Sequence, residues 1–205
     1  MDPIAYAAEI RSRLAAGKRV EADVGGFQRA AVLLPLCPSA GGPIVLLTRR
    51  TEEVETHKGQ ISLPGGVMEI GDRDAVHTAL REAEEEVGLL GEELIVAGLL
   101  DDHVTPTGFV ITPVVAVCRA VPHLHINPRE VAELLRIPLA SFGPGADLRS
   151  EFREVLGRNQ EVYFYRIGAH VVWGATAAII RNLLRQIGTQ EASASFSGRK
   201  PPPVG

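Results

Sequence analysis

From residue 74 to residue 87 the chain carries one unbroken apolar stripe. Val76, Ala79, Leu80, Ala83 and Val87 recur at i, i+3, i+4, i+7 and i+11, the period of a single buried helix face. Asp72 or Asp74 can cap its start, and Gly88 can take the left-handed conformation that ends it. So one-sided a helix has to lie on another layer. Short β-type runs before and after it supply that layer. Residues 30–36 and 44–48 read as two paired strands around a turn rich in Gly, Ser and Pro. Residues 94–100 and 110–117 read as further strands, and 61–63 as a short one.

The ends complete the pattern. Residues 3–16 predict a short amphipathic helix with Pro3 in its first turn. Residues 18–28 read as loop, and 129–135 as a short acidic helix or turn. Residues 162–167 and 170–173 predict a last strand pair around Gly168, and 175–187 a closing apolar helix. Strands and helices mix without strict alternation. The expectation is therefore an α/β chain of the α+β type, a central mixed sheet between helices. Residues 1–190 read as one domain and 191–205, with three consecutive prolines, as a disordered tail.

Composition excludes some roles. With 205 residues and a net charge of −4, the chain lacks the basic balance of a nucleic-acid binder. Its longest apolar runs fall far short of the roughly 20 residues that span a bilayer. No export signal opens it, so the expected location is cytoplasmic. Cys37 and Cys118 each sit in an apolar run and read as buried free thiols in a reducing compartment. They make poor nucleophiles.

The chemistry gathers around the helix. Gly65-Gly66 precedes it, and Glu82, Glu85 and Glu86 ride on it. With Val76 at zero, Glu86 falls near ~280°, Glu82 near ~240° and Glu85 near ~180° on the wheel. Acidic runs are usually solvated faces, but these flank the buried stripe. Crowded carboxylates repel unless a positive group sits among them, and Mg²⁺ or Mn²⁺ is the natural hard partner. The bare backbone of Gly65 and Gly66 can approach phosphate oxygens.

This stretch resembles the Nudix box, G-x5-E-x7-R-E-U-x-E-E-x-G-U, where U is a bulky aliphatic residue. Gly66, Arg81, Glu82, Glu85, Glu86, Gly88 and Leu89 stand in its fixed positions, and Ala83 fills the first U. Asp72 replaces the early Glu, and Arg81 comes one residue late, so the box is stretched by one before the helix. The resemblance implies a Nudix-like α/β/α sandwich. It implies metal ligation by Glu82, Glu85 and Glu86, proton transfer by Glu85 or Glu86, and an Arg81 that orients a glutamate through an ion pair.

Upstream, Leu46-Leu47-Thr48-Arg49-Arg50, then Val54, then His57-Lys58-Gly59-Gln60-Ile61-Ser62-Leu63-Pro64-Gly65-Gly66 is similar to a segment of the coenzyme A pyrophosphatases within that family. Leu63 and Ile61 replace Phe and Val. Residues 172–177 also resemble the end of that subgroup. The implied reaction cleaves coenzyme A or acyl-CoA to 3′,5′-ADP and 4′-phosphopantetheine or its acyl form. Arg49, Arg50, His57 and Lys58 form a basic cluster suited to phosphate. Arg50, which matches the fixed arginine, is the expected reader of the 3′-phosphate.

Two other readings compete: a Nudix hydrolase for another nucleoside diphosphate derivative, such as ADP-ribose or NADH, or for a nucleoside triphosphate, and a non-catalytic ligand-binding module. Trp173 reads as a core residue. Asp101, Asp102 and His103 lie in a loop, either lining the site or solvated. Oligomeric state is not written in any motif of the chain.

Overall fold

The computed structural model describes residues 2–51, 59–155 and 157–188. Strand β1 (Gln28–Cys37) is apolar on both faces along most of its length, so it has to run between two layers. It pairs in parallel with β7 (Phe109–Cys118), from Gln28↔Phe109 to Leu36↔Val117. On its other side two partners share it. β2 (Ile44–Arg50) pairs antiparallel only at Leu36↔Val45 and Cys37↔Ile44. β4 (Gly65–Val67) takes the opposite end, at Ala30↔Val67, Ala31↔Gly66 and Val32↔Gly65.

β1 and β2 therefore fork, and the chain from Gly59 to Val67 fills the fork. Its β3 (Ile61–Ser62) bonds to β2 at Thr48↔Ser62 and Arg49↔Ile61, and Leu33 N–H donates to Pro64 O at 2.8 Å. Pro35 sits where β1 changes partners. Side alternation turns its nitrogen the same way as that of Leu33, into the gap between β4 and β2, where no ladder donor is required.

The remaining strands extend the sheet. β5 (Leu94–Leu99) and the two-residue β6 (His103–Val104) pair antiparallel with β7. β8 (Val131–Pro138) pairs with β2 along its whole length. A separate antiparallel sheet has the order β11 (His170–Trp173), β10 (Arg158–Ile167), β9 (Asp147–Val155).

Period-two alternation divides the main sheet's apolar residues between its faces. Ala31, Leu33, Leu46, Val114 and Ala116 meet Ala79, Ala83 and Val87 of helix α2 (Ala75–Val87). Leu34, Leu36, Val45, Leu47, Val115 and Val117 join a second core with α1 (Pro3–Ala15), α3 (Gly174–Gln186) and Tyr165 and Val172 of the smaller sheet. This is the expected α/β/α sandwich on a mixed sheet. Among the described residues no helix is long and apolar enough to cross a membrane.

Two expectations are corrected. Residues 129–135 are expected as an acidic helix or turn: 129 and 130 do lie in a turn, but 131–135 enter β8. Val131, Leu135 and Ile137 are buried while Glu133 and Arg136 face outward. A register shift opposite Arg49 and Arg50 blurs the alternation that would have marked a strand. Cys37 and Cys118 are not free thiols: they form a disulfide, with Cα atoms 4.7 Å apart. The parallel register that sets Leu36 beside Val117 carries the next residues of both strands together. A separation of 81 residues hides that from any local reading.

Candidate active site

Helix α2 is fixed at both ends. Asp74 caps it by accepting from His77 N–H at 2.8 Å. Gly88, at φ 68°, turns the chain out in the left-handed conformation. Its last carbonyls meet a returning segment, since His125 N–H donates to Val87 O and Asn127 N–H to Glu86 O, both at 2.9 Å.

Asp72, the departure from the box, joins the preceding turn to the helix. Its carboxylate is 2% exposed. It accepts from Arg81 Nη2 at 3.0 Å, Arg81 Nε at 3.2 Å, Glu69 N–H at 2.9 Å and Thr78 Oγ1 at 2.9 Å. His77 Nδ1 lies 2.9 Å away. The Arg81 guanidinium first, then these other donors, hold the acid well below the usual carboxylate range. Asp72 thus closes a clamp on Arg81 from the turn before the helix.

Arg81 is the hub of the acidic face. Beyond Asp72 it reaches Glu82 Oε1 at 2.9 Å, Glu85 Oε2 at 3.1 Å and the Val67 carbonyl at 3.3 Å. The three glutamates are graded in depth, with Glu85 56% exposed, Glu82 14% and Glu86 3%. Burial pushes both Glu82 and Glu86 up, Glu86 to about 8. Arg81 opposes the rise at Glu82, and Arg50 opposes it at Glu86.

The double glycine is the floor beneath this face. A Cβ on Gly66 would lie 2.5 Å from the Glu82 carboxyl carbon, and one on Gly65 would lie 2.6 Å from Val32 Cα. Neither position has room for a side chain.

The expected basic cluster divides. Arg50 turns to the glutamates, with Nη1 3.6 Å from Glu86 Oε1. Its Nε is buried with no hydrogen-bond partner among the described residues. Arg49 turns away, to Glu133 Oε2 and His170 Nδ1, both at 2.9 Å. His57 and Lys58 lie outside the described residues.

Other candidates settle elsewhere. Asp101 accepts from Val20 N–H and Asn182 Nδ2. Asp102 accepts from Arg19, Ala22, Arg29 and Thr112. Both pin the segment after α1, and His103 lies in β6. Trp173, expected in the core, is half-buried and stacks on Phe164 with ring centroids 5.9 Å apart.

Glu130 went unrecognised in the sequence. Asn127 Nδ2 donates to its Oε1 at 2.9 Å, and its negative charge raises both Glu82 and Glu86. It reaches α2 through the turn after Asn127, and no spacing along the chain signals that approach.

Among the described residues no group of three or more His, Cys, Asp or Glu side chains stands ready-made around an ion position. The donors nevertheless suit a hard divalent cation. Glu86 Oε2 is buried without a hydrogen-bond partner among the described residues. Glu82 and Glu86, raised by burial first and by neighbouring carboxylates second, gain most from such a charge.

Comparison with known proteins gives the family. Residues 26–159 match the NUDIX domain. The chain is 39% identical over 163 residues to a protein of Photorhabdus laumondii subsp. laumondii described as an uncharacterized Nudix hydrolase NudL, covering 78% of this chain and 85% of that one. A protein of the same description from Pectobacterium atrosepticum is 40% identical over 165 residues, covering 78% and 83%. The crystal structure of a MutT/nudix family protein from Enterococcus faecalis superposes with a TM-score of 0.51 at 15% identity, covering 88% of this chain and 69% of that one. It shares the fold. The matched span takes in the forked sheet, the double glycine and all of α2, and on that ground the chain belongs to the Nudix hydrolase family.

Proposed function

We propose that this protein hydrolyses the pyrophosphate bond of coenzyme A or an acyl-CoA, releasing 3′,5′-ADP and 4′-phosphopantetheine or its acyl form, with Mg²⁺ or Mn²⁺. The observation that carries the reading is the position of Arg50. It belongs to the segment that resembles the coenzyme A pyrophosphatases, and its guanidinium faces Glu86 with a buried Nε that has no hydrogen-bond partner among the described residues. A buried donor without a partner is costly, and an anionic phosphate oxygen is the group that satisfies it.

Glu82, Glu85 and Glu86 would hold the cation, which supplies charge screening at the phosphate oxygens and a more acidic bound water. Arg81 holds Glu82 and Glu85 in place while Asp72 holds Arg81. Gly65 lets β4 close on Val32, and Gly66 leaves room for the Glu82 carboxylate. Arg50 binds and orients the diphosphate. Glu85 or Glu86 accepts the proton of the attacking water. Glu85 opens to solvent, and Glu86 is enclosed.

The test is product analysis after incubation with coenzyme A, ADP-ribose and NADH, with and without Mg²⁺. Cleavage of coenzyme A to the two products, abolished by exhaustive chelation and restored by Mg²⁺ or Mn²⁺, is the expected result. Preferential turnover of ADP-ribose or NADH would move the substrate assignment within the family. Turnover unchanged by chelation would remove the metal from the reading.

A further inference from the structure

Among the described residues strand β9 is the free edge of the smaller sheet, paired with β10 alone. It runs nine residues without proline and without a break in register, from Val155↔Arg158 to Asp147↔Arg166. Long, regular edges invite pairing, and proteins usually interrupt them. Two residues separate Val155 from Arg158, so that pair closes the hairpin. Alternation then turns the N–H and C=O groups of Arg153, Glu151 and Arg149 toward β10, and those of Phe152, Ser150 and Leu148 outward. Leu148 N–H agrees: it bonds Ala146 O at 2.9 Å instead of the ladder.

The sequence of this edge is complementary to itself. With a second copy antiparallel about a two-fold axis at Ser150, Ser150 meets Ser150, Arg149 meets Glu151, Leu148 meets Phe152 and Asp147 meets Arg153. Both charge pairs oppose unlike signs. A two-fold axis normal to the sheet keeps side chains on their own faces, so the axis must fall on a residue. Centred on Arg149, the register sets that arginine against itself. Centred on Glu151, it sets Arg149 against Arg153. Centred on Phe152, it keeps only the pair of Glu151 with Arg153. Phe152, 72% exposed, gains the half-buried Leu148 as its neighbour. Arg149 is exposed; Arg153, about half exposed, pairs with Glu151 along the strand, and Asp147, also about half exposed, pairs with Arg166 at 3.7 Å, so Glu151, Arg153 and Asp147 exchange these solvent-exposed ion pairs for partners across the axis.

We propose that β9 is a homodimer interface, joining the three-stranded sheets of two copies into one continuous six-stranded sheet about a two-fold axis at Ser150. The contact is isologous and closes on itself. It stands apart from the glutamates of α2 and does not depend on the substrate.

Sedimentation of the full chain across a range of concentrations tests this. The wild type is expected to pass from one to two chain masses, with the amides of Ser150 and Phe152 gaining protection from hydrogen exchange as it does so. Arg149→Glu opposes two glutamates twice per dimer and should weaken association about tenfold or more. Adding Glu151→Arg to that variant reverses both charges and should restore the dimer. Phe152→Lys, at an exposed position, should weaken association while leaving turnover unchanged, and its melting temperature should equal that of the wild type at dilutions where both are single chains. A wild type that remains a single chain overturns the proposal, even if an added strand peptide binds the edge. So does a dimer indifferent to both Arg149→Glu and Phe152→Lys, which would place the contact on another face.

Discussion

Gly66 and Glu82 are in direct contact across the floor of the acidic face, so close that a methyl group on Gly66 would fall 2.5 Å from the Glu82 carboxyl carbon. Fifteen residues separate the two in sequence. The contact explains why a bare backbone precedes this helix: the strand supports the carboxylate by leaving it room.

The two glycines should therefore fail differently. In Gly66→Ala the new methyl meets the end of a side chain, which can swing away. Stability should change by about 1 kcal/mol or less, while a displaced Glu82 lowers kcat by something like 10²-fold. In Gly65→Ala the methyl meets the Val32 backbone, which cannot yield, and stability should fall by ~2–4 kcal/mol. Thermal melts and turnover of the two variants check this. Equal stability loss in both would show that Gly66 serves packing alone.

Glu86→Gln keeps the shape and removes a charge that burial opposes. With Mg²⁺ present, turnover should fall by about 10²-fold or more. Without metal, the melting temperature should hold or rise, because the cost of burying the acid, and secondarily its repulsion from Glu82 and Glu130, is relieved. Wild-type turnover in this variant would relocate the metal site. A large loss of stability in chelator would show that the contact with Arg50 outweighs the burial cost.

Asp102 gives a pH signature far from the glutamates. Burial alone would raise its acid, but hydrogen bonds from Thr112, Ala22 and Arg19 outweigh this and hold it below the ordinary value. A depressed folded-state pKa adds stability above the unfolded value, about 3.9, and that stability is lost as pH falls through the folded one. Asp102→Asn should cost roughly 1.5–3 kcal/mol at pH 7. The gap between variant and wild type should close below about pH 4. Denaturant melts across that range measure it, and a gap independent of pH would assign the loss to packing.

What was legible in the sequence was local. The caps of α2, its stripe and its terminal glycine are short-range signals, and each stands where the spacing puts it. The depth of Glu86 was also readable, since its wheel position near ~280° adjoins Ala79 near ~300°. What escaped depends on pairing between distant segments. Glu130 reaches Glu86 only because residues 125–127 fold back on the end of α2. Cys37 meets Cys118 only through a parallel register. β9 alternates charges on one face, and its other face carries Leu148, Ser150 and Phe152, too mixed a set for an apolar period to emerge. Arg49 and Arg50, neighbours in sequence, face different partners because successive strand residues point to opposite sides.

That divergence changes what Arg50 should do. Its match to the subgroup segment pointed to the 3′-phosphate, the charge that separates coenzyme A from dephospho-coenzyme A. Its guanidinium instead lies 3.6 Å from Glu86, on the helix that would hold the metal and, in the proposed reaction, the scissile diphosphate. A charge-assisted hydrogen bond contributes roughly 1.5–3 kcal/mol, or about tenfold to a hundredfold in kcat/KM. Arg50→Ala should lose that factor on coenzyme A and dephospho-coenzyme A alike, with their ratio unchanged. Arg50→Lys should recover little, since an ammonium cannot reproduce the planar fork. Parallel assays of both substrates on the wild type and the two variants decide it. A loss confined to coenzyme A would return Arg50 to the 3′-phosphate and require the side chain to leave Glu86 when substrate binds.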